Sequence, residues 1–271
     1  MAYDYGMTGV EKYNARVDAV NSLLCVGLDP DVAKLPERFK NEEFPQFAFN
    51  KWIIDETKEY AAAYKPNIAF YEARGPEGLV ELKMTSDYLR ETVPEAFTIV
   101  DIKRGDIGNT NQAYANAYYD YYGFDSVTMH PYMGREPLSY FLDRKDKVCI
   151  ILCRTSNPGA GEFQDLMVDG KPLWEVVAEK VRDEWNVHGN CMLVIGAPFP
   201  DELRRARELM GDMTFLVPGV GSQGGETKAV IEAGLTPARK GLIVNASRAI
   251  IFSENPKEAA LKLRNEINTY R

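Results

Sequence analysis

Eight short, nearly uninterrupted apolar runs recur along the chain: SLLCVG (22–27), AAAYKPN (61–67), FTIVD (97–101), DSVTM (125–129), VCIILC (148–153), CMLVIG (191–196), TFLVP (214–218) and GLIVN (241–245). Runs of this length without polar alternation describe strands covered on both faces, the condition of a parallel sheet. Between them lie stretches with helical spacing, such as Leu173, Val177 and Val181, or Leu203, Ala206 and Met210. Asn109 or Thr110 is read as the cap of another helix, and Gly123 as its stop. An open doubly wound sheet should feed its first strand into a GxGxxG turn, but the first run here feeds LDPD. Eight such units therefore predict a (β/α)8 TIM barrel, as a single domain over residues 1–271. Val10, Tyr13, Val17 and Val20 predict an extra N-terminal helix closing the barrel bottom. Barrels of roughly 250 residues commonly form one domain, so the length fits.

Composition narrows the function classes. A content of 45% hydrophobic and 27% charged residues is that of a folded chain with a sizeable core. The net charge of -8, without an extended Lys/Arg cluster, argues against a nucleic-acid partner. No run approaches the roughly 18 apolar residues of a membrane span, and the opening MAYDYGMTGVEK lacks a basic segment followed by an apolar one, so a cytoplasmic location is expected. Cys25, Cys149, Cys153 and Cys191 lie inside apolar runs, with no CxxC pair and only His130 and His188 as histidines, which argues against zinc. Cys149 and Cys153 stand about 13 Å apart along one strand, too far for a disulfide.

In a barrel the C-terminal strand ends carry the active site. Those ends are polar here: Asp29; Lys65 and Asn67; Asp101, Lys103 and Asp106; His130; Ser156 and Asn157. If the third strand persists past Asp101, Asp101 and Lys103 point to the same side of it. Taken singly, Asp101 or Lys65 is more often a rim salt bridge than a catalyst; together, two lysines and two aspartates describe a site. A lysine among carboxylates stays protonated, so it acts as proton donor and cationic stabiliser, not as a Schiff-base nucleophile. The glycines of PGVGSQGG (218–225) and Arg248 after the eighth strand stand where barrels hold phosphate. The connection from 154 to 172 is the longest, and long loops on a rigid frame are often functional.

The motifs LCVGLDPD, YKPN, DIKRGDIGNT, TMHPYMG, TSNPGA, PGVGSQGG and NASR, in that order, resemble those of the orotidine 5'-phosphate decarboxylase family, in its longer bacterial-type branch. The resemblance spans nearly the whole chain. It implies decarboxylation of orotidine 5'-monophosphate to uridine 5'-monophosphate, the last step of de novo pyrimidine nucleotide synthesis, without metal or organic cofactor. It implies that Lys103 protonates C6 of the pyrimidine while Asp101, Asp106 and Lys65 complete an alternating charge network. It further implies that Asp29, Lys65 and Thr110 touch the ribose, that Ser156 and Asn157 read the pyrimidine edge, and that Gln223 and Arg248 take the phosphate. Asp106 and Thr110 would come from the partner chain of a homodimer with shared active sites. His130, before a proline, is as compatible with packing as with lining the pocket.

Two other readings share some of these features. A magnesium-dependent phosphosugar decarboxylase or aldolase of the same superfamily has the same D-x-K-x-x-D signature, but DIGNT, SNPGA and PGVGSQGG fit the nucleotide enzyme better. A non-catalytic phosphate-ligand sensor on a decayed barrel would have lost a lysine or aspartate, and all four are present.

Overall fold

The computed structural model describes residues 6–220 and 227–271. Eight parallel strands close into a barrel: β1 (Leu24–Gly27), β2 (Ala63–Lys65), β3 (Phe97–Arg104), β4 (Ser126–Met129), β5 (Val148–Arg154), β6 (Cys191–Ile195), β7 (Phe215–Pro218) and β8 (Leu242–Ala246). β8 pairs with β1 to shut the ring, Cys25 standing opposite Asn245. Each apolar run of the sequence became one strand. Their side chains are almost wholly buried, as strands between a packed barrel interior and an outer helical layer must be.

The N-terminal helix α1 (Gly9–Val20) starts from a reciprocal cap between Thr8 and Glu11. It buries Tyr13 and Val17, as its periodicity predicts, and the Tyr13 hydroxyl donates to the Leu242 carbonyl. Gly9 lies so close to β5 that a Cβ there would meet Val148 at 2.7 Å. The outer layer includes α2 (Pro45–Thr57), α3 (Gly75–Thr92), α4 (Gly108–Ala115), α5 (Arg135–Leu142), α6 (Leu173–Lys180), α7 (Pro200–Met210), α8 (Thr227–Gly234) and α9 (Pro256–Tyr270).

Two local readings need correction. α4 does not start from an Asn109 or Thr110 cap: Ile107 occupies the cap position, and Gly108, left-handed at φ 48°, turns the chain into the helix. Asn111 does the fastening instead, its Oδ1 accepting the Asp106 N–H at 2.9 Å and its Nδ2 donating to the carbonyls of Asp106 and Pro137 at 2.7 Å. α6 forms where the Leu173, Val177 and Val181 spacing predicts a helix: Val181 is buried, Leu173 and Val177 are half-buried, and Trp174, Glu175 and Ala178 are buried beside them. The 154–172 connection is not bare loop; it folds a short helix (Gly161–Gln164) and an antiparallel pair, Met167–Val168 with Lys171–Pro172. Gly123 does end its helical stretch, at φ 78°, after a π-helical turn over Asn116–Tyr121. All four cysteines are buried and free.

Candidate active site

β3 is the spine of the site. It runs past Asp101 to Arg104, but its pairing with β4 shifts register between Val100 and Arg104, and within that shift Lys103 adopts φ 44°. A left-handed lysine is uncommon and costs about 1–2 kcal/mol, and such backbone strain concentrates at functional positions. The Lys103 N–H is held by Thr128 Oγ1 at 3.0 Å. That conformation delivers the ammonium back onto Asp101, with Nζ 2.7 and 2.8 Å from the two carboxylate oxygens.

Asp101 is the hub. Its Oδ1 accepts from Lys103 and from the Thr128 hydroxyl at 2.7 Å; its Oδ2 accepts from Lys103, from Lys65 Nζ at 3.4 Å and from Asn67 Nδ2 at 3.3 Å. Burial opposes its ionisation, yet the Lys65 and Lys103 charges, with hydrogen bonds from Lys103 and Thr128, hold its carboxyl well below the usual carboxylate range. Lys65, the last residue of β2, is 4% exposed. Burial works against its ammonium too, but Asp29 and Asp101 outweigh it and raise its pKa. Lys103 differs in exposure: half of its side chain faces solvent at the barrel mouth. One lysine is thus locked in the floor and one is free to reach a ligand. Cys25, also in this interior, has its thiol pushed up to about 12 by burial and is not a nucleophile.

Asp29 joins the array through Asn67, whose backbone N–H donates to Asp29 Oδ1 at 2.9 Å. The sequence placed Asn67 at a strand end without giving it a role, and Thr128 was read only as part of a motif. Both prove to hold Asp101. Their contacts span 34 and 27 residues, which no local pattern encodes.

The other predicted residues are not joined to this array by hydrogen bonds or ion pairs among the described residues. The Asp106 carboxylate accepts from the Ile107 N–H at 2.7 Å and forms no ion pair with Lys65 or Lys103. Thr110 is exposed in the first turn of α4. Ser156 packs on Gly196, where a Cβ would stand 2.9 Å from its Cα, and Asn157 is exposed and accepts from the Thr155 hydroxyl at 2.7 Å. Arg248 is exposed, opening a short helix (Arg248–Ile251) beyond β8. Gln223 lies outside the described residues.

His130 turns out to support the Asp106 segment. Its Nε2 lies 2.9 Å from the Gly105 carbonyl, which can only accept, so Nε2 carries the proton. A Cβ on Gly105 would meet the imidazole at 2.7 Å. Behind Ser156, the buried guanidinium of Arg154 pairs with Asp165 at 3.4 Å and Glu202 at 3.6 Å, tying the long connection to the barrel. Among the described residues no three His, Cys, Asp or Glu side chains converge as a metal site, and no helix is long and apolar enough to cross a membrane.

The chain is similar to known proteins over nearly its full length. A family model described as "Orotidine 5'-phosphate decarboxylase / HUMPS family" matches residues 22–263. An orotidine 5'-phosphate decarboxylase of Cellvibrio japonicus (strain Ueda107) is 45% identical, covering 98% of this chain and 100% of its own. Among solved structures, the OMP decarboxylase of Leishmania donovani superposes with a TM-score of 0.87 at 37% identity, over 97% of this chain and 98% of its own. The UMP synthase of the same organism gives 0.90 at 39% identity, this chain spanning 56% of that longer one. A lysine–aspartate–lysine array at the mouth of a closed parallel barrel, together with likeness over nearly the full length, leads to one conclusion: the chain belongs to the orotidine 5'-phosphate decarboxylase / HUMPS family.

Proposed function

We propose that this protein converts orotidine 5'-monophosphate to uridine 5'-monophosphate and carbon dioxide, with Lys103 as proton donor. The observation that carries the reading is the Lys65–Asp101–Lys103 array, in which a buried, ionised aspartate anchors a solvent-facing ammonium. The bond from C6 to the carboxyl carbon breaks, its electron pair stays on C6, and carbon dioxide departs. That lone pair lies in the ring plane and cannot delocalise into the ring carbonyls as an enolate would. A preorganised cation must meet the charge, and the same cation then transfers its proton from Nζ to C6. In this reading no cofactor is needed. Lys103 becomes a neutral amine and regains its proton from solvent at the mouth.

The remaining assignments belong to the same proposal. Asp29, Lys65 and Thr110 would bind ribose, Ser156 and Asn157 the pyrimidine edge, and Gln223 and Arg248 the phosphate. A homodimer with shared sites accounts for Asp106, whose carboxylate pairs with neither lysine of its own chain, and for the exposed Ile107 and Tyr132, 58% and 88% accessible, on neighbouring loops. Buried free thiols fit a reducing cytoplasm.

The test is an ultraviolet assay of orotidine 5'-monophosphate loss. Wild type should turn over after EDTA treatment, which separates it from a magnesium-dependent phosphosugar enzyme. Lys103→Ala should lose more than about 1000-fold in kcat yet bind uridine 5'-monophosphate within about threefold of wild type, because the ammonium matters most as charge develops. Near-normal turnover by Lys103→Ala would remove it as the donor.

A further inference from the structure

Ser247 stands between β8 and Arg248, and its hydroxyl is an anomaly. The Oγ is buried and has no hydrogen-bond partner among the described residues. Ser247 occupies the cap position of the short helix at Arg248–Ile251, but its side chain does not cap it; the helix is received by its carbonyl, which accepts from Ile250 and Ile251. A buried hydroxyl without a partner is destabilising, and native chains leave few of them outside functional positions.

What the hydroxyl faces is set by β1. The point where Gly27 would carry a Cβ lies 2.7 Å from Ser247 Cβ, 3.0 Å from its Oγ and 3.1 Å from Asp29 Oδ2. A Cβ at that point would clash with Ser247, so only a glycine lets β8 bring Ser247 this close to Asp29. Among the described residues Asp29 uses Oδ1 to accept the Asn67 N–H, while Oδ2 enters no hydrogen bond. Two unused groups therefore stand near one another, 3.0 and 3.1 Å from a common point beside Gly27: a hydroxyl that can donate, and a carboxylate oxygen that only accepts. The ligand group that satisfies both at once is another hydroxyl, donating to Asp29 and accepting from Ser247.

We propose that Ser247 is a substrate-binding residue acting with Asp29 on one ribose hydroxyl of the nucleotide. The assignment rests on the decarboxylase reading above. Gly27 serves it by admitting Ser247 beside Asp29, and Asn67 by fixing the Asp29 rotamer through the opposite oxygen.

The experiment measures uridine 5'-monophosphate, its 2'-deoxy and its 3'-deoxy analogues against wild type, Ser247→Ala and Ser247→Cys by calorimetry, with thermal unfolding of each ligand-free protein. Ser247→Ala should bind uridine 5'-monophosphate about five- to tenfold more weakly, the loss of one hydrogen bond. It should bind one of the two deoxy analogues as wild type does, since that hydroxyl is then missing from both sides. Ligand-free unfolding should not fall, because no protein hydrogen bond is removed; a purely structural serine would lower it. Ser247→Cys keeps the size and weakens the donor, so it should move binding in the same direction. Unchanged affinity for uridine 5'-monophosphate in both variants, or equal losses on all three ligands, overturns the inference. Wild type failing to bind uridine 5'-monophosphate overturns the decarboxylase reading itself.

Discussion

Asp101→Asn is the perturbation that the site should tolerate least. The substitution keeps the shape and removes one charge, but every contact at that position is a donor pointing inward. Oδ1 receives two donors and Oδ2 three, from Lys103, Thr128, Lys65 and Asn67. An amide nitrogen cannot accept, so whichever way Asn sits, one edge meets donors with a donor. Lys65 would remain 4% exposed with Asp29 as its nearby counter-charge. Removing one partner of a buried pair costs about 3–5 kcal/mol, and the half-exposed Lys103 adds little because water takes over its hydrogen bonds. A chain of this size loses about 2–4 °C per kcal/mol, so the melting temperature should fall by about 10 °C. The pH dependence has a definite sign. Wild-type Asp101 is depressed, so its stabilisation is present above about pH 4 and is lost as pH falls further; Lys65 is raised, so its stabilisation is complete below about pH 10 and is lost as pH rises beyond. Between those limits the wild-type contribution is flat, and the deficit of Asp101→Asn should be fully expressed at pH 7. Urea unfolding of both proteins at pH 7, with a repeat near pH 3, measures it. Equal stability at pH 7, or a deficit that does not shrink in acid, would refute the argument.

Two further experiments probe the loops around this array. If Asp106 reaches the Lys103 of its partner, mixing inactive Lys103→Ala and Asp106→Ala proteins under subunit exchange should restore roughly a quarter of wild-type activity, since about half of the dimers are mixed with one intact site each; no recovery after exchange confirmed by mass spectrometry means Asp106 serves its own chain. Gly105→Ala places a Cβ 2.7 Å from the His130 imidazole and must shift the Asp106 segment, so steady-state kcat should fall about tenfold or more, with relief when His130 is shortened to Ala.

The barrel could be read from the chain because its determinants are local. A strand buried on both faces needs a continuous apolar run, and CVG, IVD, VCIIL and LIVN each declare one without reference to any other part of the sequence. The charged strand ends could be read for the same reason, since a lysine or aspartate closing an apolar run is visible as it stands. Other features depended on contacts made elsewhere. Asn111, not Asn109 or Thr110, ties down the start of α4, because its amide reaches Pro137 across the fold. Asn67 and Thr128 earn their roles only when β2 and β4 flank β3 and bring them to Asp101. The left-handed turn at Lys103 arises within a register shift between two strands, and the close approach of Ser247 to Asp29 exists because β8 closes on β1 at a glycine. Residue type and local period determine which segments become strands and which groups can ionise. Register and ring closure decide which of those groups meet, because hydrogen bonds and charge interactions act over a few ångströms of space, whatever the distance along the chain.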